Sequence, residues 1–116
     1  MSDKIAYSMH ALEASRIIMD EYCVKILSAT LDEPRTAIDL SRQMNIPIAA
    51  CYRRIRMLQK NGLLRCKEKK LTVEGKYIAA YESLLKRAHI LYENGRVRAR
   101  LEMVSGEQEE LVLECK

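Results

Sequence analysis

The sequence contains no Phe and no Trp, so its 116 residues include only 6 aromatic side chains, all Tyr. A core must therefore be built from aliphatic residues, which suits packed helices. With only 2 Pro and 4 Gly, the chain lacks the frequent turn residues of an all-β domain and any low-complexity linker. The length and a composition of 48% apolar and 31% charged residues indicate one compact, folded unit.

Several functional classes find no support in the sequence. No apolar run approaches the roughly 20 residues of a membrane span, and no secretory signal is apparent, so we expect a cytoplasmic protein with no membrane partner. The 4 cysteines form no Cys-x-x-Cys pair, and His10 and His89 stand alone, so we expect idle or buried thiols, no metal site and no cofactor. Because no glycine-rich phosphate loop, serine elbow or nucleophile and base pair is present, we do not expect an enzyme.

Charge is distributed unevenly along the chain. Residues 52–70 contain eight Lys and Arg against the single Glu68, a local charge of +7, whereas residues 101–116 contain five Glu and one Lys, a local charge of −4. This asymmetry predicts that the middle of the chain faces a polyanion and that the tail has another role.

The first half of the chain predicts four helices. Apolar spacing favours the first over residues 4–19, and Asp20 is a suitable cap for the second, which Pro34 ends. Thr36 followed by Asp39 resembles a capping box for a third helix over residues 36–44, with Asn45 as its left-handed end. Pro47 suits the first turn of a fourth helix over residues 47–60.

Beyond Gly62 the sequence predicts a small hairpin and then a fifth helix. Residues 63–66 and 70–73 are short strand candidates around the charged turn 67–69. Thr72 is a possible cap for a helix to residue 86, with Val73, Tyr77 and Tyr81 on its apolar stripe.

The last 30 residues change to an alternating pattern. Asn94-Gly95 is a favoured hairpin turn between strands over 89–93 and 97–103, and a second turn at 105–108 leads to a third strand over 111–115. The expected meander has one apolar face. Either the predicted helix over 72–86 or a second subunit would cover that face, and we favour a homodimer.

Two segments resemble a known family. NIPIAACYRRIRMLQKNGLL, residues 45–64, is similar to the recognition helix of archaeal winged helix regulators of the ArsR type, and LTVEGK, residues 71–76, resembles the step after the wing in ArsR-like and MarR-like proteins. The resemblance covers about residues 20–85. It implies a DNA-binding transcription regulator whose helix over 47–60 enters the major groove. The sequence departs from the family pattern in two ways. The recognition helix begins with Ile48, Ala49 and Ala50, where the family often has Ser, Gln or Thr. The predicted hairpin also makes the wing too short for deep minor-groove contact.

Candidate DNA contacts follow from this arrangement. One set faces bases or the adjoining sugar-phosphate: Ile48, Ala49, Ala50, Tyr52 and Arg53. A second set suits phosphates: Arg54, Arg56, Lys60, Lys67, Lys69 and Lys70. Thr36, at the start of the preceding helix, completes the predicted contacts.

We therefore predict an α+β, mainly α, winged helix-turn-helix protein that binds double-stranded DNA as a homodimer. Residues 1–19 form an N-terminal helix that could dimerise, residues 20–86 the DNA-binding domain, and residues 87–116 the antiparallel extension. The alternative is a winged helix adaptor for protein partners, whose basic helix is merely a solvated face. The sequence leaves any effector unidentified.

Overall fold

The computed structural model describes residues 10–114, which form four helices and six strands. The helices are α1 (Ala11–Met19), α2 (Glu21–Ala29), α3 (Ala37–Met44) and α4 (Ile48–Lys60). The strands are β1 (Arg35–Thr36), β2 (Leu64–Leu71), β3 (Tyr77–Ser83), β4 (Leu85–Glu93), β5 (Arg96–Met103) and β6 (Gln108–Glu114). The α+β class is confirmed, but strand is as extensive as helix, so the description as mainly α is wrong. Within the described residues, no helix is long and apolar enough to cross a membrane.

Caps confirm several of the predicted helix boundaries in the first half, but α2 ends at Ala29 with Thr30 as its C-cap, before the predicted end at Pro34. Asp20 accepts the backbone N–H of Cys23 at the start of α2. Thr36 and Asp39 form the reciprocal capping box of α3, and Asn45 closes that helix in the left-handed conformation with φ 57°. Pro47 precedes the first helical residue of α4 rather than being it. The predicted start of α1 before residue 10 lies outside the described residues.

The region after Gly62 differs most from the prediction. The residues expected to form a charged turn at 67–69 lie inside the continuous strand β2, with a bulge between Cys66 and Glu68. The chain turns instead between Thr72 and Lys76, where Gly75 has φ +83°, and returns as β3. No helix forms over 72–86, where Val73 is 99% exposed. The wing is therefore longer than predicted.

Two three-stranded antiparallel sheets result. The first has the order β1-β3-β2, and the second is the predicted meander with the order β4-β5-β6. Asn94 and Gly95, both with positive φ, make the expected turn between β4 and β5. The predicted residue 115 of the third strand lies outside the described residues.

The helix that covers the meander is α1, not the predicted helix over 72–86. Ala11, Ala14 and Ile17 are buried on α1 and belong to the same apolar cluster as Ala99 and Leu101 of β5. The small alanines on both elements allow the helix to approach the sheet closely. The chain therefore covers part of its own apolar sheet face.

A second part of the core lies among α2, α3 and α4. Ile26, Leu40, Ile55 and Leu58 are each at most 1% exposed and fix the three helices together. Cys23 and Cys51 are buried here, as predicted, and burial raises the pKa of both thiols, that of Cys23 to about 12. These two thiols are protonated at neutral pH.

Candidate nucleic-acid interface

The segment between α3 and α4 is a tight, internally bonded turn. The Ser41 hydroxyl donates to the carbonyl of Ile46 at 2.6 Å, and the Ile46 N–H donates to the carbonyl of Ser41 at 3.0 Å. Ile46 is itself buried at 2% exposure. Because both polar and apolar contacts hold the turn, the angle between α3 and α4 is fixed.

The helix α4 separates an apolar face from a basic face. Cys51, Ile55 and Leu58 are buried against α2 and α3, as their spacing predicts. The opposite face exposes most of the predicted contacts, namely Ile48, Ala49, Tyr52, Arg53, Arg56 and Lys60. Ile48 and Tyr52 are 44% and 43% exposed, so both large side chains are accessible on this face. These exposed side chains extend along the whole length of α4.

Three of the predicted DNA-contact residues do not lie on this exposed face. Ala50 is only 7% exposed and packs into the core, because its position on the helix turns it inward. Thr36 is 4% exposed, and its hydroxyl accepts the N–H of Asp39 within the capping box. Arg54 is half-buried and already engaged by a carboxylate.

Arg54 forms a bidentate ion pair with Asp20, which lies 34 positions earlier in the chain. Its Nε and Nη2 each donate to one carboxylate oxygen at 3.0 Å, and its guanidinium lies 5.4 Å from the ring centre of Tyr22. The Arg54 side chain holds the pKa of Asp20 at about 2, and Asp20 in turn raises the pKa of Arg54. The sequence alone gave no sign of this pairing because the two residues are distant along the chain.

The wing carries the remaining predicted basic residues on β2. Lys67, Lys69 and Lys70 are all exposed, and Arg65 donates to Glu82 of β3 at 2.6 Å. Strand pairing sets the faces: Lys69 lies opposite Ala79 and Lys70 opposite Ile78. Side chains alternate along a strand, so these two lysines point to opposite sides of the wing.

The face of the wing that carries Lys69 adjoins α4. Ala79 and Tyr81, together with the neighbouring Ile78, line the same small cavity as Tyr52 of α4. Burial raises the pKa of Tyr81. Lys69 shares its face of the sheet with Tyr81, and therefore lies on the side of the wing that continues the exposed surface of α4.

The tip of the wing carries exposed apolar side chains where the sequence predicts a helix. Leu71, Val73 and Tyr77 are 62%, 99% and 69% exposed there. The alternation of apolar and polar residues in this segment is typical of a strand. The same apolar residues also fit the spacing of a helical stripe, and that spacing is what predicts a helix here.

Comparison with known families agrees with this geometry. Residues 18–67 match the family model described as a helix-turn-helix domain. This part of the chain is thus similar to a helix-turn-helix domain. The match runs from the end of α1 into β2, so β3 and the meander lie outside it. The comparison with curated proteins found no match. The matched residues include α3 and α4, the two helices joined by the tight turn.

Proposed function

We propose that this chain is a DNA-binding transcription regulator of the ArsR-like type that docks α4 in the major groove of double-stranded DNA. The observation that carries the proposal is the exposed face of α4, which presents Tyr52, Arg53 and Arg56 from a rigid helix-turn-helix domain. An α-helix fits the major groove, where base edges can be distinguished by hydrogen bonding. The proposal assigns no catalytic step to the protein.

Different parts of the surface would supply different contacts. Ile48 and Ala49, in the first turn of α4, offer apolar contact to thymine methyl groups but no hydrogen bond to a base. Tyr52 and Arg53 are then the side chains that can hydrogen-bond base edges. Arg56, Lys60 and Lys69 suit phosphates, because a charge placed beside the groove fixes the protein on the duplex without reading sequence.

We further propose that the protein acts as a homodimer, so that two copies of α4 address half-sites about one helical turn apart. An apolar groove of about 300 Å³ supports this proposal. Ile18, Val24 and Leu27 line it from α1 and α2, Leu31 lines it from the segment after α2, and Leu85 and Ala88 line it from β4, where Lys86 and Arg87 form a basic edge. Because β4 is an edge strand, its unpaired backbone groups adjoin these apolar side chains.

A titration of the protein into duplex fragments from its own genomic neighbourhood tests the function. At about 50 and 200 mM salt, phosphate-driven binding should differ by orders of magnitude, and one fragment should bind more tightly than the others. Random duplex of equal length is the control. Failure to bind any fragment at either salt concentration would contradict the proposal and favour the protein adaptor.

A further inference from the structure

A cleft of about 620 Å³ lies between α1 and α4, on the side of α4 next to its exposed face. Four guanidinium groups line this cleft: Arg16 comes from α1, and Arg53, Arg54 and Arg56 come from α4. Glu13, Arg16 and Ile17 share one face of α1, and Asp20, the C-cap of α1, continues that face because it lies three or four positions beyond Ile17 and Arg16. Two helices therefore contribute to one basic cavity.

The positive charge of the cleft is only partly compensated. Asp20 and Glu13 are its two acidic residues, which leaves a formal charge of +2 against four arginines. Asp20 is already engaged with Arg54. Within residues 10–114, neither Arg16, Arg53 nor Arg56 has an ion pair or a hydrogen bond through its side chain. Three guanidinium groups are therefore available to an anion.

The cleft also has an apolar part. Ile17, which is 1% exposed, and the half-buried Met57 contribute to its lining. The salt bridge between Asp20 and Arg54 fixes one wall, so the cavity does not depend on mobile side chains alone. A site of this composition suits a ligand with an anionic group and a hydrocarbon body.

We propose that the cleft binds a small organic anion, a phosphate or carboxylate on an apolar body, and that this anion competes with DNA. Walls from both α1 and α4 can surround a small molecule, whereas the backbone of a duplex is convex and meets the outer face of α4. Competition follows because Arg53 and Arg56 belong both to the cleft and to the DNA-facing surface. The competition, but not the anion site, rests on the proposed function.

Phenyl phosphate is a suitable probe of the anion site, and calorimetric titration into the full chain without DNA measures its binding. We expect saturable binding that is tighter than that of inorganic phosphate, because only the phenyl group can make apolar contact with the half-buried Met57. The substitution Arg16→Gln removes one guanidinium contact and should weaken binding about tenfold. Arg42→Gln, which removes an exposed charge on α3 away from the cleft, is the matched control and should leave binding unchanged.

Equal losses in the two variants, or no saturation by phenyl phosphate, would overturn the anion site. Thermal unfolding of each variant checks that both remain folded. With a bound duplex, phenyl phosphate should raise the apparent Kd for DNA in the wild type and much less in Arg16→Gln. An unchanged DNA affinity in saturating phenyl phosphate would overturn the competition. Failure of DNA binding itself would contradict the proposed function and leave the calorimetric result to decide the anion site.

Discussion

The carboxylate of Asp20 holds the first turn of α2 and the guanidinium of Arg54 at the same time. One oxygen accepts the N–H of Cys23 at 2.8 Å, and both oxygens accept from Arg54 at 3.0 Å. A single side chain thus connects the junction of α1 and α2 to the middle of α4. The orientation of α4 depends on this connection as well as on the apolar core.

The first prediction concerns the pH dependence of stability. The pKa of Asp20 is lowered from 3.8 to about 2 by Arg54, so its ionised form stabilises the folded chain above pH 4. That contribution is lost as the pH falls from about 4 to 2. Asp20→Asn keeps a capping oxygen but loses the charge, and should cost about 1 kcal/mol at pH 7 after allowance for solvent screening.

Urea unfolding of the wild type and Asp20→Asn at pH 7, 4 and 2.5 measures this difference. We expect the gap in unfolding free energy to narrow towards pH 2.5. A gap of constant size across the three conditions would show that the ion pair does not contribute through the charge of Asp20.

The second prediction separates capping from DNA contact at Thr36. Thr36→Ala removes the hydroxyl that accepts the Asp39 N–H and should destabilise the fold by about 1 kcal/mol, while Thr36→Ser should restore most of the loss. For a domain of this size the Tm should fall by about 4 °C. Calorimetry measures the Tm, and DNA affinity below the transition should be unchanged. A loss of affinity at constant Tm would instead support a direct contact.

The third prediction concerns sequence reading by Arg53. If its guanidinium contacts a base edge, Arg53→Ala should cost about 1 to 3 kcal/mol on the preferred duplex and much less on random duplex. Competition binding with both duplexes measures the ratio. Equal losses on the two duplexes would assign Arg53 to the phosphates.

The fourth prediction compares two neighbouring lysines of the wing. Lys69 lies on the face of the sheet that adjoins Tyr52, whereas Lys70 lies on the opposite face. Lys69→Ala should therefore weaken all duplexes alike and reduce the slope of log K against log salt by about 1. Lys70→Ala is the matched control and should leave the slope nearly unchanged. The reverse order would place the DNA on the other side of the wing.

The fifth prediction concerns the homodimer. Val24 is 42% exposed and lines the groove beside β4, so Val24→Glu should dissociate the dimer without disturbing the core. Light scattering after size exclusion measures the mass. Ile38→Glu is the control, because Ile38 is equally exposed at 42% on α3 and lies outside this groove. A wild type that is monomeric at every concentration would contradict the dimer proposal.

Local chemistry explains which parts of the fold could be predicted from the sequence. Asp20, Thr36 and Asn45 act through backbone groups within a few residues, so their roles are visible in a short stretch of sequence. The pair Asn94-Gly95 specifies its turn in the same way. The basic face of α4 could be predicted because its period is helical and no competing pattern overlaps it.

The wing was mispredicted for a definite physical reason. Tyr77 and Tyr81 are four positions apart, which places them on one face of a helix but equally on one face of a strand. Hydrogen bonding to β2 makes this segment a strand, and the two paired strands are not adjacent in a short stretch of sequence. The same limitation hid the contact of α1 with β5 and the ion pair of Arg54, which join residues far apart in the chain.

The junction between the two sheets has a mechanical consequence. Only Leu84 separates β3 from β4, and its N–H and carbonyl are bonded to Leu63 and Val104, respectively. The wing and the meander are therefore joined by one residue that is hydrogen-bonded on both sides, so we expect a rotation of one to be transmitted to the other. In an assembly of two copies, the distance between the two α4 helices would therefore be nearly constant. If the chain binds DNA as the proposed homodimer, we expect that half-sites displaced by half a helical turn would require the duplex itself to twist.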